Sequence, residues 1–228
     1  MISIAKNIEG VLTDIRRCEQ LYGRPEGSVR LLAVSKKQEI EKIAEAAAAG
    51  LVDFGENYLQ EGLEKIRQLS ELKLTWHFIG PIQSNKTRGI SEHFHWVHSV
   101  DRVSIAQRLN NQRPEGLLPL NVCVQVNVSN ETAKSGTTLE STVTICEAVN
   151  SLPQLRLRGL MAIPAAHTAM AEQRASFEAL ASEFKRLQTD FPTMDTLSMG
   201  MSGDFEAAIA EGSTMIRIGT GLFGQRPS

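Results

Sequence analysis

Hydrophobic and polar positions change period repeatedly along this chain. Short apolar runs suited to buried strands occupy 30–34, 52–54, 74–78, 95–97, 121–126, 156–159, 193–196 and 215–218. Between them lie stretches with apolar residues three and four apart, among them EIEKIAEAAAAG, YLQEGLEKIRQL, VSIAQRLNNQ, LESTVTICEAVNSL, AMAEQRASFEALASEFKRLQTDF and DFEAAIAEG. Strand followed by helix, repeated, implies a parallel sheet with right-handed crossovers. Eight strands is the number that closes a (β/α)8 TIM barrel, although period alone does not report closure and an open doubly wound sheet is the alternative. Ahead of the first strand, Ile4, Ile8, Val11, Ile15 and Cys18 fall on one helical face, and Gly23 with Pro25 ends the run. Only GTGLFGQRPS follows the last strand, so the extra N-terminal helix is expected to cover the place of a full eighth helix. No linker or low-complexity tract interrupts the alternation, and 1–228 is expected to be one domain.

Composition narrows the function classes. The formal charge of -2, from 24 Lys+Arg and 26 Asp+Glu, gives no general basic field for a nucleic-acid backbone or an anionic membrane, so a small molecule or a protein is the expected partner. Lys6, Glu9, Asp14, Arg16 and Arg17 break up the N-terminal segment as no signal sequence or membrane span would tolerate. Cys18, Cys123 and Cys146 are too few and too scattered for a disulfide framework or a CxxC motif, which fits a cytoplasmic location.

In a (β/α)8 barrel the loops leaving the carboxyl ends of the strands hold the ligand. The first of these carries Ser35-Lys36-Lys37. In an extended chain Lys36 points with Leu32 and Val34, and Ser35 and Lys37 point the other way. An amine drawn into the barrel interior is disfavoured as a cation and becomes a nucleophile able to condense with an aldehyde, whereas two solvated lysines ahead of a helix would do nothing. The last two loops carry Met199-Gly200-Met201-Ser202-Gly203, with Ser202 a candidate N-cap for a helix near Asp204, and Gly219-Thr220-Gly221. Two glycine turns in loops seven and eight suit a phosphate, although glycine is also an ordinary turn residue. Arg217, between Ile216 and Ile218, either faces inward to a ligand or outward to a helix carboxylate. His77 at the third strand end is a candidate ligand contact, with a structural hydrogen bond as its alternative. The histidines of HFHWVH would diverge across a strand, which argues against a metal, and Lys134 lies in the polar loop SNETAKSG.

Over essentially its whole length the sequence resembles the pyridoxal 5'-phosphate homeostasis protein family, through LLAVSK, FGENYLQEG, WHFIGPIQSNK, LNVCVQVNVSNETAKSG, LRLRGLMAIP and LSMGMSGDFEAAIAEGSTMIRIGTGLFG. The resemblance implies the isolated barrel of the fold-type III pyridoxal phosphate enzymes, the kind that forms the N-terminal domain of alanine racemase. It implies that Lys36 carries pyridoxal 5'-phosphate as an imine, that Gly200, Met201, Ser202, Gly219 and Thr220 contact the phosphate, and that Met199 is also among the cofactor-binding residues. It further implies Arg217 beside the pyridine nitrogen, Asn57 and His77 lining the pocket, and Lys134 on a loop near it. The implied role is cofactor homeostasis in a monomer, with delivery to pyridoxal phosphate-dependent apoenzymes and no strong catalysis. A single-domain racemase or lyase is one alternative. A cofactor-free Schiff-base aldolase using Glu56 or Tyr58 is another.

Overall fold

Strand β1, Arg30–Val34, buries Leu31, Leu32 and Ala33 because both of its faces are covered, as a strand flanked by crossover helices must be. In the computed structural model, which describes residues 3–129, 131 and 134–224, it is followed by β2 (Asp53–Glu56), β3 (Thr75–Phe78), β4 (Trp96–Val100), β5 (Leu120–Gln125), β6 (Leu155–Met161), β7 (Thr196–Ser198) and β8 (Met215–Ile218). Each strand pairs in parallel with the next, and β8 returns to β1 with Arg30 opposite Met215 and Ala33 opposite Ile218. The sheet is therefore a closed eight-stranded barrel, and the open-sheet alternative is excluded.

Helices α2 (Ile40–Ala48), α3 (Leu59–Gln68), α4 (Thr87–His93), α5 (Val103–Gln112), α6 (Thr142–Asn150), α7 (Met170–Gln188) and α8 (Phe205–Ala210) connect successive strands. Among the described residues only α9, Thr220–Phe223, follows β8. The N-terminal α1, Ile4–Leu21, buries Ile4, Ile8, Ile15 and Cys18 and packs against α2, α8 and α9, covering the place the short last helix leaves. Asn7 Nδ2 fastens it by donating to the Leu222 carbonyl at 2.8 Å.

Two strands differ from the apolar runs. β4 continues past Val97 through His98 and Ser99, both buried, because their polar atoms find partners within the barrel. β7 begins where its predicted run ends, since Pro192 and Thr193 form a turn in which the Met194 N–H donates to the Phe191 carbonyl at 3.0 Å. At Gly159 in β6 the backbone sits at φ 154° against the Thr196 carbonyl, so any Cβ there would collide with β7. Among the described residues no helix is long and apolar enough to cross a membrane.

Candidate functional site

The loops at the carboxyl ends of β1, β2, β7 and β8 enclose a cavity of about 260 Å³, near the lower end of the range for small-molecule sites (roughly 300 Å³). Lys36, Asn57, Met201, Ser202, Arg217, Gly219 and Thr220, all expected site residues, line it together with Val34 and Gly203. Lys36 reaches the cavity because Leu32 and Val34, its neighbours at period two, face the barrel interior beside Ile79 and Met215. Lys37 turns away: it adopts φ 60°, the left-handed region, and is exposed.

The backbone on both sides of Lys36 is fixed by a buried cluster. Lys65 Nζ, on α3, donates to the Ser35 carbonyl at 2.7 Å, to Glu56 Oε1 at 2.8 Å and to Glu61 Oε1 at 2.6 Å. Ser35 Oγ donates to Glu56 Oε1 at 2.6 Å, and the Lys37 N–H donates to Glu61 Oε1. Burial raises the Glu56 carboxyl above its ordinary range against the pull of Lys65. The sequence pattern gave no sign of this cluster, because a lysine four residues after a glutamate reads as a solvated helix pair. Glu56 is thereby committed to Lys65 and Ser35, and Tyr58 is exposed and lines a neighbouring cavity, so neither stands as the acid/base group an aldolase would need beside Lys36.

Arg217 faces inward, and its outward alternative is excluded. It is 4% exposed, with Nη1 donating to Ser198 Oγ at 2.9 Å and Nη2 to the Ala162 carbonyl at 3.0 Å. Burial lowers its pKa to about 10, which leaves it a cation at neutral pH. Its backbone N–H donates to the Gly200 carbonyl, joining the loop after β7 to β8. Gly200 takes φ 96° against Ala208, and Met199 is fully buried, so both support the cavity from behind its wall. Ser202 does not cap α8; Asp204 occupies that position, and its Oδ1 accepts from the Met201 N–H at 2.6 Å.

Like Met199 and Gly200, His77 is an expected contact that the cavity lining does not include. It is fully buried, with Nε2 at 3.0 Å from Asp53 Oδ1 and Nδ1 at 2.9 Å from His98 Nε2, the structural alternative raised for a lone histidine. Lys134 is paired with Glu131 at 2.7 Å outside the cavity lining, and residues 130, 132 and 133 of its loop lie outside the described residues. Asn57 brings a buried Oδ1 with no hydrogen-bond partner among the described residues, an acceptor a polar ligand or water would satisfy.

At Gly80 a Cβ would run into the Asn57 carbonyl, so Gly80→Ala should displace Asn57 and cost about 3 kcal/mol in a denaturant melt, as overpacking against unyielding backbone does. Burial holds His77 below, and His98 well below, the ordinary histidine value, so the unfolded chain takes up protons below about pH 6.5 that the folded chain refuses. Stability should be full above that pH and fall as pH drops, by up to about 1.4 kcal/mol per pH unit for each buried histidine. His98→Gln should flatten the dependence of the denaturation midpoint between pH 6.5 and 5, by roughly one histidine's share.

Residues 13–227 match the family described as alanine racemase, N-terminal domain. The pyridoxal phosphate homeostasis protein of Pseudomonas aeruginosa is 58% identical over 226 residues, covering 99% of this chain and 97% of that one. The chain belongs to the pyridoxal phosphate homeostasis protein family. Its Escherichia coli K12 member is 52% identical over 229 residues, covering 99% of this chain and 98% of its own. Among solved structures, PipY of Synechococcus elongatus with PLP bound superposes with a TM-score of 0.82 at 37% identity, over 97% of this chain and all of that one. The Pseudomonas and Escherichia relatives are named for homeostasis of a cofactor rather than for a reaction.

Proposed function

We propose that this chain binds pyridoxal 5'-phosphate in the mouth cavity, holds it as an imine on Lys36, and serves cytoplasmic cofactor homeostasis by buffering it and releasing it to apoenzymes, without strong catalysis of its own. The observation that carries the reading is one cavity lined by an amine, a guanidinium and two glycine turns bearing hydroxyls: Lys36, Arg217, Ser202-Gly203 and Gly219-Thr220. These groups fit the cofactor, which supplies an electrophilic aldehyde and an anionic phosphate when bound. Lys36 is the candidate for the aldehyde, the turns with the Ser202 and Thr220 hydroxyls for the phosphate, and Arg217 for the ring nitrogen. The unpartnered Asn57 Oδ1 adds an acceptor for a ligand hydroxyl or a bridging water.

What surrounds those groups supports the reading of weak catalysis. An arginine at the ring nitrogen cannot give it a proton, so the ring is a weak electron sink. Proton transfer also needs a positioned acid or base, and the carboxylates close in sequence to the cavity lining have other partners: Glu56 and Glu61 are bound by Lys65, and Asp204 accepts from the Met201 N–H. Purified protein incubated with the cofactor should absorb as an imine, and borohydride should fix one cofactor on Lys36. Added apoenzyme should acquire cofactor from the loaded protein in the presence of a scavenger for the free form. Amino-acid racemisation or elimination at about one turnover per second or faster would overturn the carrier reading in favour of an enzyme.

A further inference from the structure

The barrel interior contains a continuous hydrogen-bonded chain that ends on Arg217. It begins on the barrel floor, where Arg30 Nη2 donates to both carboxylate oxygens of Asp53 at 2.8 and 2.9 Å. From Asp53 it passes through His77, His98 and Ser198 to Nη1 of Arg217, with every link between 2.9 and 3.0 Å. His77, His98 and Ser198 are each fully buried, so no water competes for their polar atoms. The six residues come from β1, β2, β3, β4, β7 and β8, and Ser198 ends its strand.

The direction of every bond follows from the one member that cannot donate. An ionised Asp53 only accepts, and although burial pushes its carboxyl up, His77 and Arg30 hold it below the usual range. His77 therefore carries its proton on Nε2 and accepts on Nδ1, so the proton of His98 is also on Nε2. His98 Nδ1 then accepts from the Ser198 hydroxyl, whose oxygen is left with lone pairs for Arg217. Neutral rings satisfy all four links at once, whereas a protonated His77 would have to reverse the next one.

We infer that His77, His98 and Ser198 are positioning residues: a relay of fixed polarity, anchored by Asp53 and Arg30 on the barrel floor, that holds the Arg217 guanidinium toward the ring nitrogen of the bound cofactor. None of the three lines the cavity. The relay ends on a neutral hydroxyl, so the hydrogen bonds that orient Arg217 come from Ser198 and the Ala162 carbonyl, while the Asp204 carboxylate acts on its charge without holding it by a hydrogen bond among the described residues. This inference rests on the proposed cofactor and deepens the assignment of its site.

The test pairs the natural cofactor with 1-deazapyridoxal 5'-phosphate, which keeps the aldehyde and phosphate but has carbon in place of the ring nitrogen. Ser198→Ala and His98→Leu should each weaken binding of pyridoxal 5'-phosphate about tenfold, the scale of losing a hydrogen bond to a charged group, and change binding of the deaza compound by less than about threefold. His98→Gln, which can donate and accept in the same sense, should bind both compounds within about threefold of the unsubstituted protein. Equal weakening of both compounds, or no weakening of either, would overturn the relay while leaving the cofactor site intact. Failure of the unsubstituted protein to take up pyridoxal 5'-phosphate would instead remove the proposed function and the inference together. An independent reading needs no cofactor and no substitution: nitrogen NMR of the imidazoles at pH 7.5 should show His77 and His98 both neutral with the proton on Nε2, and a proton on Nδ1 of His98 would overturn the relay by itself.

Discussion

Lys36→Ala should abolish borohydride-trapped cofactor altogether and weaken retention of pyridoxal 5'-phosphate at least about a hundredfold, since it removes the only covalent link and leaves the phosphate and ring contacts alone. Lys37→Ala, one residue on, should trap cofactor as the unsubstituted protein does. The contrast is sharp because the backbone separates the two. Lys36 continues the inward row of Leu32 and Val34 into the cavity, while the left-handed turn at Lys37 sends that side chain to solvent. Mass spectrometry of the reduced protein reads both variants directly. A cofactor-sized adduct persisting in Lys36→Ala, on Lys37 or on Lys134, would place the reactive amine elsewhere and defeat the assignment.

The barrel was legible because its signals repeat. A parallel strand covered on both faces must be apolar, as at Leu31–Ala33, and each crossover helix must be amphipathic, so eight alternations specify the architecture even where single boundaries slip. The boundaries slipped where polarity and burial part company. His98 and Ser99 lie in β4 beyond the apolar run that stops at Val97, and Ser198 ends β7 beyond the run that stops at Thr196; His98 and Ser198 find each other across strands, and Ser99 finds the Gly80 carbonyl in the loop after β3. Such partners are set by closure of the barrel, which no local pattern encodes.

The candidate site divides along the same line. Lys36, Ser202, Arg217, Gly219 and Thr220 were selected by position at carboxyl ends of strands, and they do meet around one cavity. His77 was selected by the same rule and lies beneath the cavity, because a residue at a strand end points either into the ligand space or down the barrel according to strand register. Gly55 and Trp96 flank His77 in register, and the ring of His77 stacks on that of Trp96 with centroids 5.3 Å apart, so it lies within the interior packing. Asp53, His98 and Ser198 had no signal of their own. A buried Asp at the start of a strand and a Ser at the end of another acquire meaning only when the barrel brings 100 residues of separation, from His98 to Ser198, to 3.0 Å.

The cluster behind Lys36 should show the second-largest effect. Lys65 is 4% exposed and Glu56 fully buried, so Lys65→Met strands a carboxylate in the interior and removes the donor to the Ser35 carbonyl. Breaking such a pair costs about 3–5 kcal/mol, far more than an exposed pair such as Arg67–Glu64 contributes. The loss should depend on pH with a definite sign. Burial already raises the Glu56 carboxyl, and without Lys65 nothing of comparable strength lowers it, so in the variant the folded state binds a proton that the unfolded state releases above about pH 4.3. Stability of Lys65→Met should therefore fall as pH rises, and its deficit should be smaller at pH 5 than at pH 8. Replacing both partners, Glu56→Leu with Lys65→Met, should recover about half of the loss, leaving the unpaired Ser35 groups to account for the rest. Because Ser35 and Lys37 are the residues the cluster holds, the single variant should also bind cofactor more weakly than its stability predicts, at temperatures where it remains folded. Denaturant midpoints at the two pH values, with cofactor retention measured on the same samples, separate these effects. A deficit that grew toward pH 5 would show that Glu56 is ionised in the variant and that a partner other than Lys65 sustains its charge.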